Sequence, residues 1–367
     1  MRIGIVLTGD YSWAGGVYYS LNIIKLLQAI SQHKKLTVVV IVNSGTPAGL
    51  LKEIPSGNTE IRYLDKKPFF YKLYHKIAGN RFEADINALK LDVLYPLISY
   101  HPSHAKLNCK VFYWIYDFQH KFLPQLFTQD ELKKRDAVFE NIALSAKDLV
   151  FSSHDSKNHF DQFYPKSGAR KHVYNFVSLI SPDPDPAPPA FDIPQDYFIV
   201  CNQFWSHKNH MVVLRALDVL LKTEKRAHVV FTGKYDDERN KSYFDELRIY
   251  VREQQLEKHI TLTGFISREE QVNLILGARA VIQPSFFEGW STVVEDAKAL
   301  GKFVIASNLN VNKEQIKKNV LFFEPRDYRQ LAAYLDDLSE GKINITPLDY
   351  HQNIETSKND LIELFKI

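Results

Sequence analysis

The stretch 281–307, VIQPSFFEGWSTVVEDAKALGKFVIAS, constrains the fold more than any other part of this chain. The apolar pair Val281-Ile282 reads as a strand that ends at Pro284, because proline cannot donate to a sheet ladder. A helix follows over 292–300, with Ser291 as its N-cap and Gly301 as its stop. Phe303-Val304-Ile305 then returns as a buried strand. Strand, loop, helix, strand is the βαβ unit of a parallel sheet. Its loop carries Glu288 beside Gly289, just ahead of the free N–H groups of a helix start. Such a start attracts phosphate. A carboxylate next to it repels phosphate, so the pair suits a neutral, hydroxyl-rich group joined to a phosphate. A nucleotide-sugar has that layout.

Short apolar runs alternate with helical patterns from end to end. In the first half, strands are expected at 3–7, 36–42, 61–64, 93–95, 110–115 and 149–152, and helices at 17–30, 131–146 and 156–164. The alternation argues for a doubly wound α/β domain. At 181–194, SPDPDPAPPAFDIP places six prolines in fourteen residues. That excludes a helix or a central strand and marks a linker. Asp183 and Asp185 form a D-x-D pair there, but a proline-rich linker offers no rigid strand end on which to hold a metal, and no metal site is assigned. The alternation then restarts. Strands are expected at 197–201, 228–232, 260–262 and 321–324, and helices at 210–221, 237–254, 269–278, 326–338 and 349–365.

A chain of 367 residues has room for two ordinary domains. Its 45% hydrophobic and 24% charged content is that of a soluble globular protein. A net charge of +3 gives no argument for a nucleic-acid partner. Cys109 and Cys201 each sit in an apolar run and read as buried free thiols of a reducing compartment. The first residues, MRIGIVLTGD, carry too short an apolar core for a signal peptide. No apolar run approaches the ~20 residues of a membrane span. The expectation is a cytoplasmic protein.

Phe287-Glu288-Gly289-Trp290 through Glu295-Asp296-Ala297 resembles the E-x7-E motif of the retaining family 4 glycosyltransferases (glycosyl transferases group 1), which have the GT-B fold. The resemblance implies that Glu288 contacts the transferred sugar and that the second acid contacts the nucleotide ribose. The helix start between them, with Gly289, Trp290, Ser291 and Thr292, would hold the diphosphate. In register the second acid is Asp296, a departure from the family's glutamate. Glu295, one position earlier, stays open as the ribose contact.

The stretch 201–210, CNQFWSHKNH, resembles the loop in which that family neutralises the diphosphate with an arginine and a lysine. Lys208 fits the lysine. The arginine place falls on Asn202 or Gln203, as in a bacterial subset. A lysine at a helix start opposes the helix dipole unless an anion sits between them; the bland alternative is a surface lysine. The stretch 113–124 resembles the same subset, in which a D-F-Q-H sequence stands at the cleft. Asp117 matches the acid of the family's His-Asp pair, Tyr116 occupies the histidine place, and His120 follows three residues later. Strand C-termini line the ligand crevice of such sheets; otherwise Asp117 caps a turn and His120 packs on it. Gly15-Gly16 follow the first strand and open a helix, where two glycines let backbone approach an anion closely. In the family this loop faces the donor phosphate and the acceptor, although any βα turn can carry such a pair. Gly233 and the run Gly264-Phe265-Ile266 stand at strand ends of the second half. The resemblance implies that the latter loop reads the base through its backbone.

The stretch 66–76 interleaves Lys66, Lys67, Lys72 and Lys76 with aromatic residues. It reads either as a peripheral contact with an anionic membrane surface through 66–81, near a lipid-linked acceptor, or as a solvated basic face over a buried aromatic stripe. The expected fold is α/β GT-B, with two Rossmann-like doubly wound domains and an interdomain cleft. The N-terminal, acceptor-side domain is placed at 1–180, the linker at 181–194 and the nucleotide-sugar-binding domain at 195–348. A last helix within 349–367 returns to the first domain, by resemblance. The expected activity is metal-independent transfer, with retention, from a GDP- or UDP-sugar of mannose type to a glycan or lipid-linked oligosaccharide in cell-surface polysaccharide synthesis, with no cofactor. The alternatives are a GT-B sugar-nucleotide epimerase and a non-catalytic glycan-binding relative. A Rossmann oxidoreductase is disfavoured because Thr8-Gly9-Asp10 breaks the G-x-G-x-x-G pattern.

Overall fold

The computed structural model describes residues 1–7, 13–64, 82–180, 191–237, 239–347 and 349–367. Thr8-Gly9-Asp10, the basic aromatic segment at 66–81, and Asp183 and Asp185 of the expected linker lie outside the described residues. The chain divides into two units. One comprises Met1–Asp117, Lys133–Val177 and His351–Ile367, the other Phe118–Leu132 and Ser178–Tyr350.

The first unit is built on seven parallel strands: β1 (Arg2–Val6), β2 (Thr37–Val42), β3 (Thr59–Tyr63), β4 (Val93–Leu97), β5 (Lys110–Ile115), β6 (Asp148–Phe151) and β7 (Arg170–Val173). Their order is β3-β2-β1-β4-β5-β6-β7, the doubly wound arrangement. Parallel sheets are covered on both faces, which explains runs such as Thr37–Val42, buried at every position but the first. The helix Ala14–Ile30 begins three residues before the expected start, so Gly15 and Gly16 lie inside its first turn. The final helix, His351–Phe365, packs in this unit. Its Ser357 hydroxyl meets the Tyr174 hydroxyl at 2.8 Å, and Phe365 lies edge-on to Phe112.

Strand β7 has no apolar signal in Arg170-Lys171-His172-Val173. Its polar side chains answer a buried acid instead. The Arg170 guanidinium donates twice to Asp148 of β6, at 2.9 and 2.6 Å, and the His172 ring meets it at 2.9 Å. Burial alone raises the Asp148 pKa, but these bonds outweigh it and hold the carboxyl below its ordinary value.

The second unit carries six parallel strands: β8 (Phe198–Cys201), β9 (Val229–Thr232), β10 (Ile260–Gly264), β11 (Ala280–Gln283), β12 (Phe303–Ser307) and β13 (Val320–Phe323). Their order is β10-β9-β8-β11-β12-β13. Alternate side chains serve opposite faces. Phe198, Val200, Ile282 and Ile305 pack into one core layer, and Ile199, Cys201, Val281 and Val304 into the other. Cys201 is buried as expected, whereas Cys109 is only half-buried; both are free thiols.

Two expectations are corrected. Phe118–Leu132 groups with the second unit, not with 1–180. Arg239 holds it there: its guanidinium lies 5.0 Å from the Phe127 ring and 5.1 Å from the Trp205 ring, and it donates to Gln119 at 3.3 Å. The helix expected at 237–254 runs only over Tyr243–Glu253. Asp237 is buried and accepts from the backbone N–H groups of Ser206 (3.0 Å) and Arg239 (3.1 Å), so it caps a loop rather than opening a helix. Among the described residues no helix is long and apolar enough to cross a membrane.

Candidate active site

In a doubly wound sheet, ligands bind beyond the strand C-termini where the strand order reverses. In the second unit that point lies between β8 and β11. The two loops that leave these strands are 202–209 and 284–290, the two stretches singled out in the sequence. They are knitted together. The His207 carbonyl accepts from the Phe286 N–H at 2.8 Å, and the Asn209 side chain donates to the Pro284 carbonyl at 2.9 Å. Asn209 adopts the left-handed conformation, φ 56°, between a single tight turn at Ser206–Lys208 and the helix His210–Lys222.

Lys208 and Glu288 meet across these loops. The ammonium lies 2.6 Å from Glu288 Oε1, with side chains 16% and 8% exposed. A lysine at a helix start calls for an anion beside it. In the structure that anion is Glu288, and Lys208 stands one residue before the helix's N-cap, Asn209. The same Oε1 accepts from the Gln283 amide at 2.7 Å. Asn202, proposed as a donor contact, is buried and donates to Gln283 Oε1 at 3.1 Å. Deeper still, His210 stacks on Phe204 at 4.3 Å, and burial drives its pKa down to about 3.

Gly289 and Trp290 lead into the helix Thr292–Ala299. The Ser291 side chain caps it by accepting from the Val294 N–H at 3.3 Å. Gln315 brackets the cap: it accepts from the Ser291 N–H at 3.1 Å and donates to the Ser291 carbonyl at 2.7 Å. The N-terminal dipole end of this helix is thereby fixed, three residues along the chain from Glu288.

The two acids left open as ribose contacts are both satisfied by protein. Glu295 is fully buried and accepts from Lys298 (2.8 Å), Gln315 (3.0 Å) and the Tyr350 hydroxyl (2.6 Å). Burial, and then the Glu295 carboxylate, push the Tyr350 phenol far above its ordinary pKa. Asp296 forms a two-point ion pair with Arg268, at 2.6 and 2.5 Å, and accepts from the Ser178 hydroxyl at 2.6 Å. The Ser178 N–H in turn donates to the Tyr350 hydroxyl at 2.9 Å.

Gly233 and Gly264 lie side by side at the ends of β9 and β10, joined by an N–H to carbonyl bond of 2.9 Å. Gly233 has φ 146°, and a Cβ there would meet the Asn202 carbonyl oxygen at 2.2 Å, so only glycine fits. Phe265 is half exposed, with the Lys234 ammonium 5.2 Å from its ring centroid, and Ile266 packs against the second core layer. His120 is buried in the same unit, in the short helix Gln119–Phe122, between the Phe118 and Phe127 rings. Phe122 of that helix stacks on Phe287 at 5.4 Å.

Gly15, Gly16 and Asp117 belong to the first unit. Asp117 pairs with Arg135 at 3.5 Å. A Cβ on Gly16 would lie 2.7 Å from the Trp13 ring. That ring stacks on Trp114 at 5.7 Å, so Gly16 serves the packing of the turn.

The residues that the sequence did not single out are Gln283, Arg268, Gln315, Ser178 and Tyr350. Gln283 had a visible signal, a polar residue ending an apolar strand. The others reach the site from distant positions and had none.

A family model described as glycosyl transferases group 1 matches residues 184–357. The mouse alpha-1,3/1,6-mannosyltransferase ALG2 is 29% identical over 136 residues. That match covers 35% of this chain and only 33% of the relative's length. A glycosyltransferase from Rickettsia africae is similar in structure at TM-score 0.62 and 17% identity, over 99% of this chain and 94% of that one. Anabaena Alr3699/HepE, solved with UDP and glucose, is similar at TM-score 0.61 and 15% identity, over 100% and 95%. At these identities the structural likenesses show the fold: two Rossmann-like parallel-sheet domains of GT-B type.

Proposed function

We propose that this chain, whose residues 184–357 match the group 1 glycosyl transferase model, transfers a sugar from a GDP- or UDP-linked donor to a hydroxyl of a glycan or lipid-linked oligosaccharide, with retention at the anomeric carbon and a role in cell-surface polysaccharide synthesis. One observation carries the reading: the Lys208–Glu288 pair and a capped helix start lie together at the β8/β11 reversal. A lysine and helix N–H groups suit a diphosphate, and a carboxylate suits sugar hydroxyls. The donor classes are suggested by the mannosyltransferase relative and by the UDP and glucose of the Anabaena protein.

In this reading the bond from anomeric carbon to phosphate oxygen breaks, and the Thr292 N–H at the helix start together with Lys208 stabilises the departing diphosphate. The acceptor oxygen attacks from the same face, and its proton passes to a leaving-group phosphate oxygen. Glu288 orients the sugar, and no protein nucleophile is needed.

The test is a panel of UDP, GDP, UDP-glucose and GDP-mannose in a melting assay. A ligand at a hundred times its Kd stabilises by about 2.7 kcal/mol. Proton NMR of the product then reads the anomeric configuration. No melting shift with any of the four rejects the donor class, and an inverted product rejects retention. Conversion of the donor without acceptor would instead mean an epimerase.

A further inference from the structure

Glu288 has two carboxylate oxygens in unequal settings. Oε1 receives both the Lys208 ammonium (2.6 Å) and the Gln283 amide (2.7 Å). Oε2 has no hydrogen-bond partner among the described residues. Gln283 is itself fixed at every polar atom. It is fully buried at the end of β11, its carbonyl oxygen accepts from Asn202 at 3.1 Å, and its amide also donates to Ser285 at 3.1 Å. A primary amide has one accepting end and one donating end. The bond from Asn202 therefore fixes which end faces Glu288, and it must be the donating end.

We propose that Gln283 is a positioning residue for the transfer reaction. With Asn202 behind it, its amide pins Glu288 Oε1 so that Oε2 faces outward as the acceptor for a hydroxyl of the bound sugar. The inference rests on the reading of Glu288 as the sugar contact. It reassigns Asn202 from holding the donor to orienting the residue that does. Lys208 alone cannot do this work, because an ammonium is a point charge with rotating donors and holds a carboxylate without choosing between its oxygens. A strand end is a rigid mount, and misplacing a reacting group by about 1 Å can cost roughly 10²-fold in rate.

The test is a double-mutant cycle on kcat with Gln283→Met and Glu288→Gln, beside nucleoside-diphosphate affinity by calorimetry. Gln283→Met keeps length and burial while removing both polar ends. We expect kcat to fall roughly ten- to a hundredfold, with diphosphate affinity within about twofold, because the side chain of Gln283 bonds to Asn202, Ser285 and Glu288 and not to Lys208 or the helix start assigned to the diphosphate. In the Glu288→Gln background the same change should cost less than about threefold, since two residues acting through one group are not additive. A purely structural role would multiply the two losses, or weaken diphosphate binding in step. Either result overturns the proposal, as does wild-type kcat in Gln283→Met. If Gln283→Met does not fold, Asn202→Ala, which frees the far end of the amide, takes its place in the same cycle with the same expected pattern. Wild-type turnover is measured first. Its absence with every donor rejects the transferase reading, whereas a normal Gln283→Met enzyme rejects only this inference.

Discussion

Lys208→Met removes one charge of a pair that is nearly out of water, and its cost can be worked from the geometry. The two side chains are 16% and 8% exposed and 2.6 Å apart. Breaking a buried pair from one side costs about 3–5 kcal/mol, because the other charge stays behind. Glu288 keeps its 2.7 Å bond from Gln283, which places the cost near the lower end, about 3 kcal/mol. For a domain of this size each kcal/mol lowers the melting temperature by roughly 2–4 °C, so a fall of roughly 6–12 °C is expected. Glu288→Gln retains an oxygen for Lys208 and should cost about 1–2 kcal/mol. The double variant carries neither charge and should melt no lower than Lys208→Met alone, because removing both members of a buried pair is often neutral. The assay is calorimetric melting of all four proteins without ligand, at low and high salt. A buried pair is weakly screened, so the pattern should survive salt. The reasoning fails if Lys208→Met melts within about 2 °C of wild type, or if the two single losses simply add.

Other outcomes follow from the same geometry. Glu288→Gln should lower turnover by roughly 10²-fold without weakening nucleoside-diphosphate affinity, since it frees Lys208 from its carboxylate partner; near-normal turnover in the folded variant would remove Glu288 from the site. Transfer should persist in EDTA, because a lysine and a helix start supply the positive charge; complete loss rescued by magnesium or manganese would return Asp183 and Asp185 to consideration. Asp148, whose folded-state pKa is depressed, stabilises the protein above its ordinary value of 3.8, and that stability should drain away as pH falls below 3.8 and through the lower folded value. Asp148→Asn should therefore flatten acid unfolding monitored by circular dichroism, and an unchanged acid limb would count against the Arg170–His172 cluster. If the lysines at 66, 67, 72 and 76 face anionic lipid, at about 1 kcal/mol each, replacing all four with Gln should abolish liposome sedimentation at low salt and spare donor binding. Wild-type protein that ignores such liposomes would leave that stretch a solvated basic face.

Local pattern carried most of the fold. Central parallel strands are buried on both faces, so they appear as unbroken apolar runs, and the strands at 281–283 and 303–307 were legible for that reason. Ser291 was legible as a cap because capping acts over three residues. The strand Arg170–Val173 was not, because its stability comes from Asp148 across the sheet, a bond with no trace in its own composition. The same divide runs through the site. Sequence marked Lys208 and Glu288 by residue type and place, each as if it faced a ligand. Only the tertiary structure joined them to each other at 2.6 Å, and only it turned Glu295 and Asp296 inward to Lys298, Tyr350, Arg268 and Ser178. Charge and capacity for hydrogen bonding belong to a residue and can be read along a chain. The partner that satisfies them is set by which strand ends the sheet brings side by side, and that was decided in three dimensions.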